Sequence, residues 1–270
     1  MSWSLGEIRA LAIKAARGAG MPWGMAEEAG FASHWLLQQG LPGTELLATL
    51  LTLHDKTDAA TTLLAQISAE DYRSILIADQ THTSTEFTTQ LINLAGKRAI
   101  CPLLLGTMIS DGLLSQTCPP GLQLRVPQAG LLLPFLNQLN SHSKRSLTIR
   151  LTAESTHPDP LAADLFIQSN PAGKTKLLAH AANADLSREQ TIDILSTDNV
   201  LCHWMLEADN TESPTIAGQL PVQLNQAAAR VPDSATDSIH QLTRLAARTY
   251  APETDESREK GAGAGTSDND

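Results

Sequence analysis

The sequence predicts an α+β fold: an N-terminal three-helix segment, a mixed centre, a mainly antiparallel sheet in the second half, and a C-terminal helix with a glycine-rich tail. Three observations predict it. Apolar residues recur at helical spacing through the first 55 positions, between short glycine–proline joints. From residue 146 the apolar period falls to two. Helices gather at one end rather than alternating with strands, which disfavours a βαβ repeat.

The first helix is expected over 4–18. Ser4 and Glu7 form a capping-box pair, in which each side chain satisfies the other residue's backbone N–H. Leu5, Ile8, Leu11, Ala12 and Ala15 follow at helical spacing, and Gly18 or Gly20 supplies the left-handed residue that ends a helix. Pro22 suits the first turn of a second helix, which runs to about Gln39 and stops at Gly40. Pro42 opens a third, through "GTELLATLLTLH".

In the centre, "YRSILIA" (72–78) reads as a strand and "STEFTTQLINLAG" as a helix closed by Gly96. "CPLLLGTMISDGLL" reads as a buried helix and "GLQLRV" as a short strand. "PQAGLLLPFLNQLNSH" reads as a helix interrupted by Pro134. "SLTIRLTAE" alternates strictly, with "DLFIQS" and "KLLAHA" as neighbours across short loops. "LSREQTIDIL" is a helix with Ser187 and Gln190 as its capping pair, and "VLCHWMLEA" fits strand or helix. The last helix carries Ile239, Leu242, Leu245 and Ala246 on one stripe. Residues 1–55 form the helical segment, 56–250 an α+β body that makes one domain with it, and 251–270 an acidic glycine-rich tail.

Hydrophobic residues make up 42% of the 270 positions and charged residues 18%, a globular balance. Aromatics reach only 4%, so the core must rest mainly on Leu, Ile, Ala and Val, with leucine the main filler. The net charge of −10 is lopsided. Residues 1–150 hold 11 Lys/Arg and 11 Asp/Glu; residues 151–270 hold 8 and 18. An acidic half repels phosphate backbones, so no nucleic-acid partner is expected. The apolar runs are shorter than a membrane span, and Glu7, Arg9, Lys14 and Arg17 break any secretion-signal core. Three scattered cysteines suit a reducing compartment, and a cytoplasmic protein is expected.

Two segments carry the candidate chemistry. "ARGAGMPWGMAEEAG" (16–30) sets Arg17, Gly18, Gly20, Trp23, Glu27 and Glu28 in one helix–turn–helix corner. There Arg17 and free helix N–H groups suit an anion, Trp23 a pocket wall, and Glu27 or Glu28 a general base. The plainer alternative is a glycine-rich corner between packed helices. "GAGAGTSDND" (261–270) sets Gly261, Gly263 and Gly265 before Asp268 and Asp270, which suit a cation or an arginine. Weaker candidates are Cys202, His203 and His180 as a thiol–imidazole or metal group, and Asp79, His82 and Glu86 past a strand end. No spacing matches a metal frame, a nucleophile elbow, a dinucleotide loop or a phosphate loop, so metal, cofactor and substrate are not assigned.

"SLGEIRALAIKAARGAGMPWGMAEEAG" and "ARTYAPETDESREKGAGAGTSDND" resemble the two ends of a bacterial family known as domain of unknown function 3726. That resemblance implies no activity and no catalytic residues; it implies that the tail belongs to the working protein. "EIRALAIKAARGAG" is also similar to the first helix of the malate/L-lactate dehydrogenases that lack a Rossmann fold, without the rest of that family's catalytic pattern. The expected function is small-molecule binding, in an enzyme or otherwise, between the helical corner and the tail. The rival is a non-catalytic accessory subunit that docks on a partner enzyme, or on another copy, through its acidic second half or tail.

Overall fold

The computed structural model describes residues 3–55, 64–65, 99–108, 123–142, 147–153, 164–169, 178–181, 187–196, 200–206, 222–223, 231 and 235–250. Three N-terminal helices come first: α1 (Leu5–Gly18), α2 (Trp23–Gln38) and α3 (Gly43–Asp55). Helix α1 starts at a capping box: the Ser4 hydroxyl accepts the Glu7 N–H at 3.2 Å, and the Glu7 carboxylate accepts the Ser4 N–H at 2.8 Å. Glu7 is held below the usual carboxylate range by those Ser4 hydrogen bonds.

Both joints between these helices are Schellman turns. Gly20 has φ +92° and Gly40 φ +68°, the left-handed region where a Cβ is costly. At the first, the Met21 N–H donates to the Ala16 carbonyl (3.0 Å) and Gly20 N–H to that of Arg17 (2.9 Å). At the second, Leu41 N–H donates to Leu36 (2.9 Å) and Gly40 N–H to Leu37 (3.0 Å). Met21 and Leu41 are buried, giving each turn its hydrophobic contact.

Small residues let these helices approach closely. The face of α2 that is buried holds Ala26, Ala29, Gly30, Ala32 and Ser33, and a Cβ on Gly30 would meet the Ile13 side chain. Leu46, Leu47, Leu50 and Leu51 of α3 complete the layer. The chain returns to it through α4 (Pro102–Met108), a 3₁₀ turn (Ala129–Leu132) running into α5 (Leu133–His142), α6 (Arg188–Leu195) and α7 (Thr236–Ala246). Phe135 of α5 meets Phe31 of α2 edge to face, with ring centroids 5.7 Å apart. Pro134 lies in the first turn of α5, so it starts that helix rather than interrupting it. Helix α7 buries Ile239, Leu242, Leu245 and Ala246 against α1 and α3, and a second 3₁₀ turn (Ala247–Thr249) follows along α1.

The remaining described elements are strands. Strands β1 (Leu64–Ala65) and β2 (Ala99–Ile100) pair in parallel. Strands β3 (Gln123–Val126), β4 (Leu147–Ala153), β5 (Asp164–Ser169), β6 (Leu178–Ala181), β7 (Val200–Leu206) and β8 (Val222–Gln223) pair antiparallel in the order β3-β7-β4-β5-β6-β8. Of their residues, Ile100, Val126 and Leu151 belong to the described core.

The expected fold class is therefore corrected. Of the residues whose side chains are placed, 79% are helical, with only two short, isolated stretches of strand among them. Among the residues so described the structure is mostly helical, and not an α+β fold dominated by antiparallel sheet in its second half. The physical reason lies in what a period of two reports: an extended backbone, without saying where the core is. The leucine- and alanine-rich segments hold that core, and they are helices.

Candidate functional site

The α1–α2 corner is the place where sequence candidates meet. Arg17, in the last turn of α1, donates from Nη1 to the Met21 carbonyl. Its guanidinium carbon stands 4.8 Å from the centre of the Trp23 ring, a cation–π contact at the first residue of α2. Trp23 is nonetheless 66% exposed. The indole therefore faces solvent while the guanidinium holds it in place.

A second pair of the same kind lies one turn earlier on α1. Lys14 Nζ is 5.5 Å from the Tyr250 ring centre and 3.4 Å from its hydroxyl. Tyr250 is 64% exposed. Lys14 and Arg17 are three residues apart on α1 and so share one helix face. Trp23 and Tyr250 are the large hydrophobic side chains most exposed among the described residues, and each is held against a cation of that face.

Three features fix Tyr250 there. Gly18 lets α7 lie directly on α1: a Cβ at that position would run into the Leu245 carbonyl. Arg248 then grips Asp55 at the end of α3 with a two-pronged ion pair, its second hydrogen bond (Nη2–Oδ2) being 3.0 Å. That hydrogen bond lowers the Asp55 pKa from its ordinary value. Next to it His54 is half-buried, and burial lowers its pKa, so it stays neutral near pH 7. The Tyr250 N–H, finally, donates to the Ala247 carbonyl at 3.3 Å.

Gly18 thus serves packing and Gly20 the turn. Glu27 is exposed on α2, while Glu28 is partly buried and already engaged. Gly261, Gly263, Gly265, Asp268 and Asp270 lie outside the described residues, as do Asp79, His82 and Glu86. The Cys202–His203–His180 group is not brought together. The register runs His203–Arg150–Phe166–His180 across four strands, so three strand spacings, about 14 Å, separate the histidine backbones. Cys101 is buried, and burial pushes its thiol pKa up, away from a reactive thiolate. Tyr250 and Lys14 were not singled out from sequence. No local signal joins residues so distant in the chain, although an aromatic closing an amphipathic helix was visible.

Fold and site together define an N-terminal helical layer closed by the last described helix, with two aromatics, each against a cation, on the shared face. Residues 3–77, which include α1 to α3 and the corner, match the model of a family described as protein of unknown function (DUF3726). This is the family that the sequence resembles; the acidic glycine-rich stretch lies outside the match. No curated protein and no solved structure matches the chain. No helix among the described residues is long and apolar enough to cross a membrane.

Proposed function

We propose that the protein is a non-catalytic binding subunit, and that the Lys14–Arg17 face of α1, with Trp23 and Tyr250 laid on it, is its docking surface for an acidic partner. The observation that carries this reading is the pair of exposed aromatics, each held by a cation at 4.8 and 5.5 Å. Tryptophan, tyrosine and arginine are the residue types that dominate binding energy at protein interfaces. Holding the rings in place beforehand lowers the ordering cost of association. Two cations side by side on one helix face favour carboxylates, which the chain's own acidic excess does not supply locally, since residues 1–150 are balanced in charge. Arg17 has five N–H donors and gives one to Met21, which leaves an edge to meet a carboxylate.

The test is a titration of the full chain with an oligo-glutamate peptide, followed by calorimetry at two salt concentrations. Binding should weaken as salt rises. Lys14→Glu should lower the affinity about fivefold and Trp23→Ala about tenfold, values in the range of an exposed charge and an aromatic anchor. Both side chains are exposed, so melting temperatures should hold within a few degrees. Equal affinity in wild type and both variants would overturn the reading.

A further inference from the structure

We infer that the acidic stretch that follows Tyr250, residues 253–270, is a built-in competitor for the Lys14–Arg17–Trp23–Tyr250 face, docking on it in the absence of a partner; this rests on the binding-surface reading above. Tyr250, the residue just before the stretch, belongs to the surface itself, its hydroxyl 3.4 Å from Lys14 Nζ. Residues 251–270 carry six Asp/Glu against two Lys/Arg, a net of −4. Four of those carboxylates, Glu253, Asp255, Glu256 and Glu259, fall within seven residues. An extended chain covers about 3.3 Å per residue, so Glu253 and Asp255 lie within roughly 10–17 Å of Tyr250. Lys14 and Arg17, three positions apart on the helix, have Cβ atoms only about 5–6 Å from each other. The first acidic residues therefore reach both cations with no long loop to close. Gly261, Gly263 and Gly265 beyond them add no bulk that would hinder a close approach.

Tethering decides whether so weak a contact matters. A segment attached at the edge of its own site has an effective concentration of about 1 mM. A carboxylate cluster with a dissociation constant of about 0.2–0.5 mM for the face would then occupy it most of the time, and an outside acidic ligand would bind about three- to sixfold more weakly. The stretch would set the threshold at which a partner displaces it.

Two measurements on the full-length chain test this. The first compares backbone amide NMR shifts of residues 253–265 in wild type and in the double variant Lys14→Glu, Trp23→Ala. Docking predicts that these shifts differ between the two chains and that those of the wild type move toward the variant's as salt is added. Identical shifts overturn the inference. The second measures oligo-glutamate affinity in wild type and in a chain with Glu253→Gln, Asp255→Asn, Glu256→Gln and Glu259→Gln. Docking predicts three- to sixfold tighter binding in the neutralised chain. Equal, measurable affinity overturns the competitor while leaving the docking surface standing. No binding to either chain overturns the docking-surface reading, and the NMR comparison then decides the docking of the stretch by itself. Shifts that depend on protein concentration, with a dimer in sedimentation, would place the stretch on a second copy and overturn docking within one chain.

Discussion

The two turns of the N-terminal layer are built to one plan and used differently. "GAGMPWG" and "QGLPGT" each give a left-handed glycine, a buried apolar residue and a proline that opens the next helix. Each also has a carbonyl bound by an arginine. At the first turn that arginine is Arg17, from the helix just ended, and it leaves Trp23 in water. At the second it is Arg188, at the start of α6, which donates to the Gln39 carbonyl (3.3 Å) and to that of Gly40 (3.1 Å). The residue after the second proline is Gly43, buried so tightly that a Cβ would meet the Ser33 carbonyl. One local code thus yields a sealed joint where Arg188 and the buried Gly43 close it, and an open, aromatic one at Trp23. The difference lies in tertiary cover, and cover is what separates packing from a candidate interface.

The largest effect should come from closing the glycine contacts. Gly18→Ala places a methyl group inside the Leu245 carbonyl, where two backbones must part, and should cost about 3 kcal/mol. It should also loosen α7 and with it Tyr250, so oligo-glutamate affinity falls as well. Gly43→Ala should destabilise by a similar amount, through Ser33 and Leu36, yet leave that affinity unchanged once the protein is folded. Urea unfolding paired with the titration separates the two. If Gly43→Ala weakens binding as much as Gly18→Ala, the two turns are not functionally distinct.

Arg188→Ala should have an intermediate effect. It removes a partly buried cation from two carbonyls at the C-terminal end of α2, where positive charge also suits the helix dipole. A charge-assisted hydrogen bond is worth roughly 1.5–3 kcal/mol when buried. Arg188 is half-open to water, so about 1–2 kcal/mol is expected. Chemical denaturation should register the loss, and corner binding should be unaffected. A stability loss below about 0.5 kcal/mol would mean that the sealed turn holds without its clasp.

The difference between the turns also marks what was legible. Ser4 with Glu7 and Ser187 with Gln190 announced their helices, because a capping box is local chemistry. Gly20–Pro22 and Gly40–Pro42 announced the turns for the same reason. The stripe Ile239–Leu242–Leu245–Ala246 showed a buried face without showing that α1 and α3 would cover it. Arg17 and Trp23 were named together, six residues apart, and the structure stacks them. Tyr250 on Lys14, Arg188 on the second turn and Arg248 on Asp55 were not legible, since each joins segments more than a hundred residues apart. The fold class was misread because alternation in 147–181 is conspicuous, whereas the weight of the core is a sum over leucines and alanines.

The smallest effect, and one of opposite sign, is expected at the sealed turn. Ser33 is fully buried on α2, and its Oγ has no hydrogen-bond partner among the described residues. A helical serine often donates to the carbonyl four residues back, as Thr52 does to Ala48 at 2.7 Å, but Ser33 makes no such bond. A hydroxyl buried without a partner carries its full desolvation cost, and alanine is also the better helix former. Ser33→Ala leaves a smaller, wholly apolar side chain beneath Gly43, so a gain of about 0.5–1 kcal/mol is expected, with no change at the corner. A rise in the urea midpoint at constant slope would show it. A loss greater than about 1 kcal/mol would instead mean that the hydroxyl holds a buried water at this joint, and that the second turn is sealed with solvent inside rather than dry.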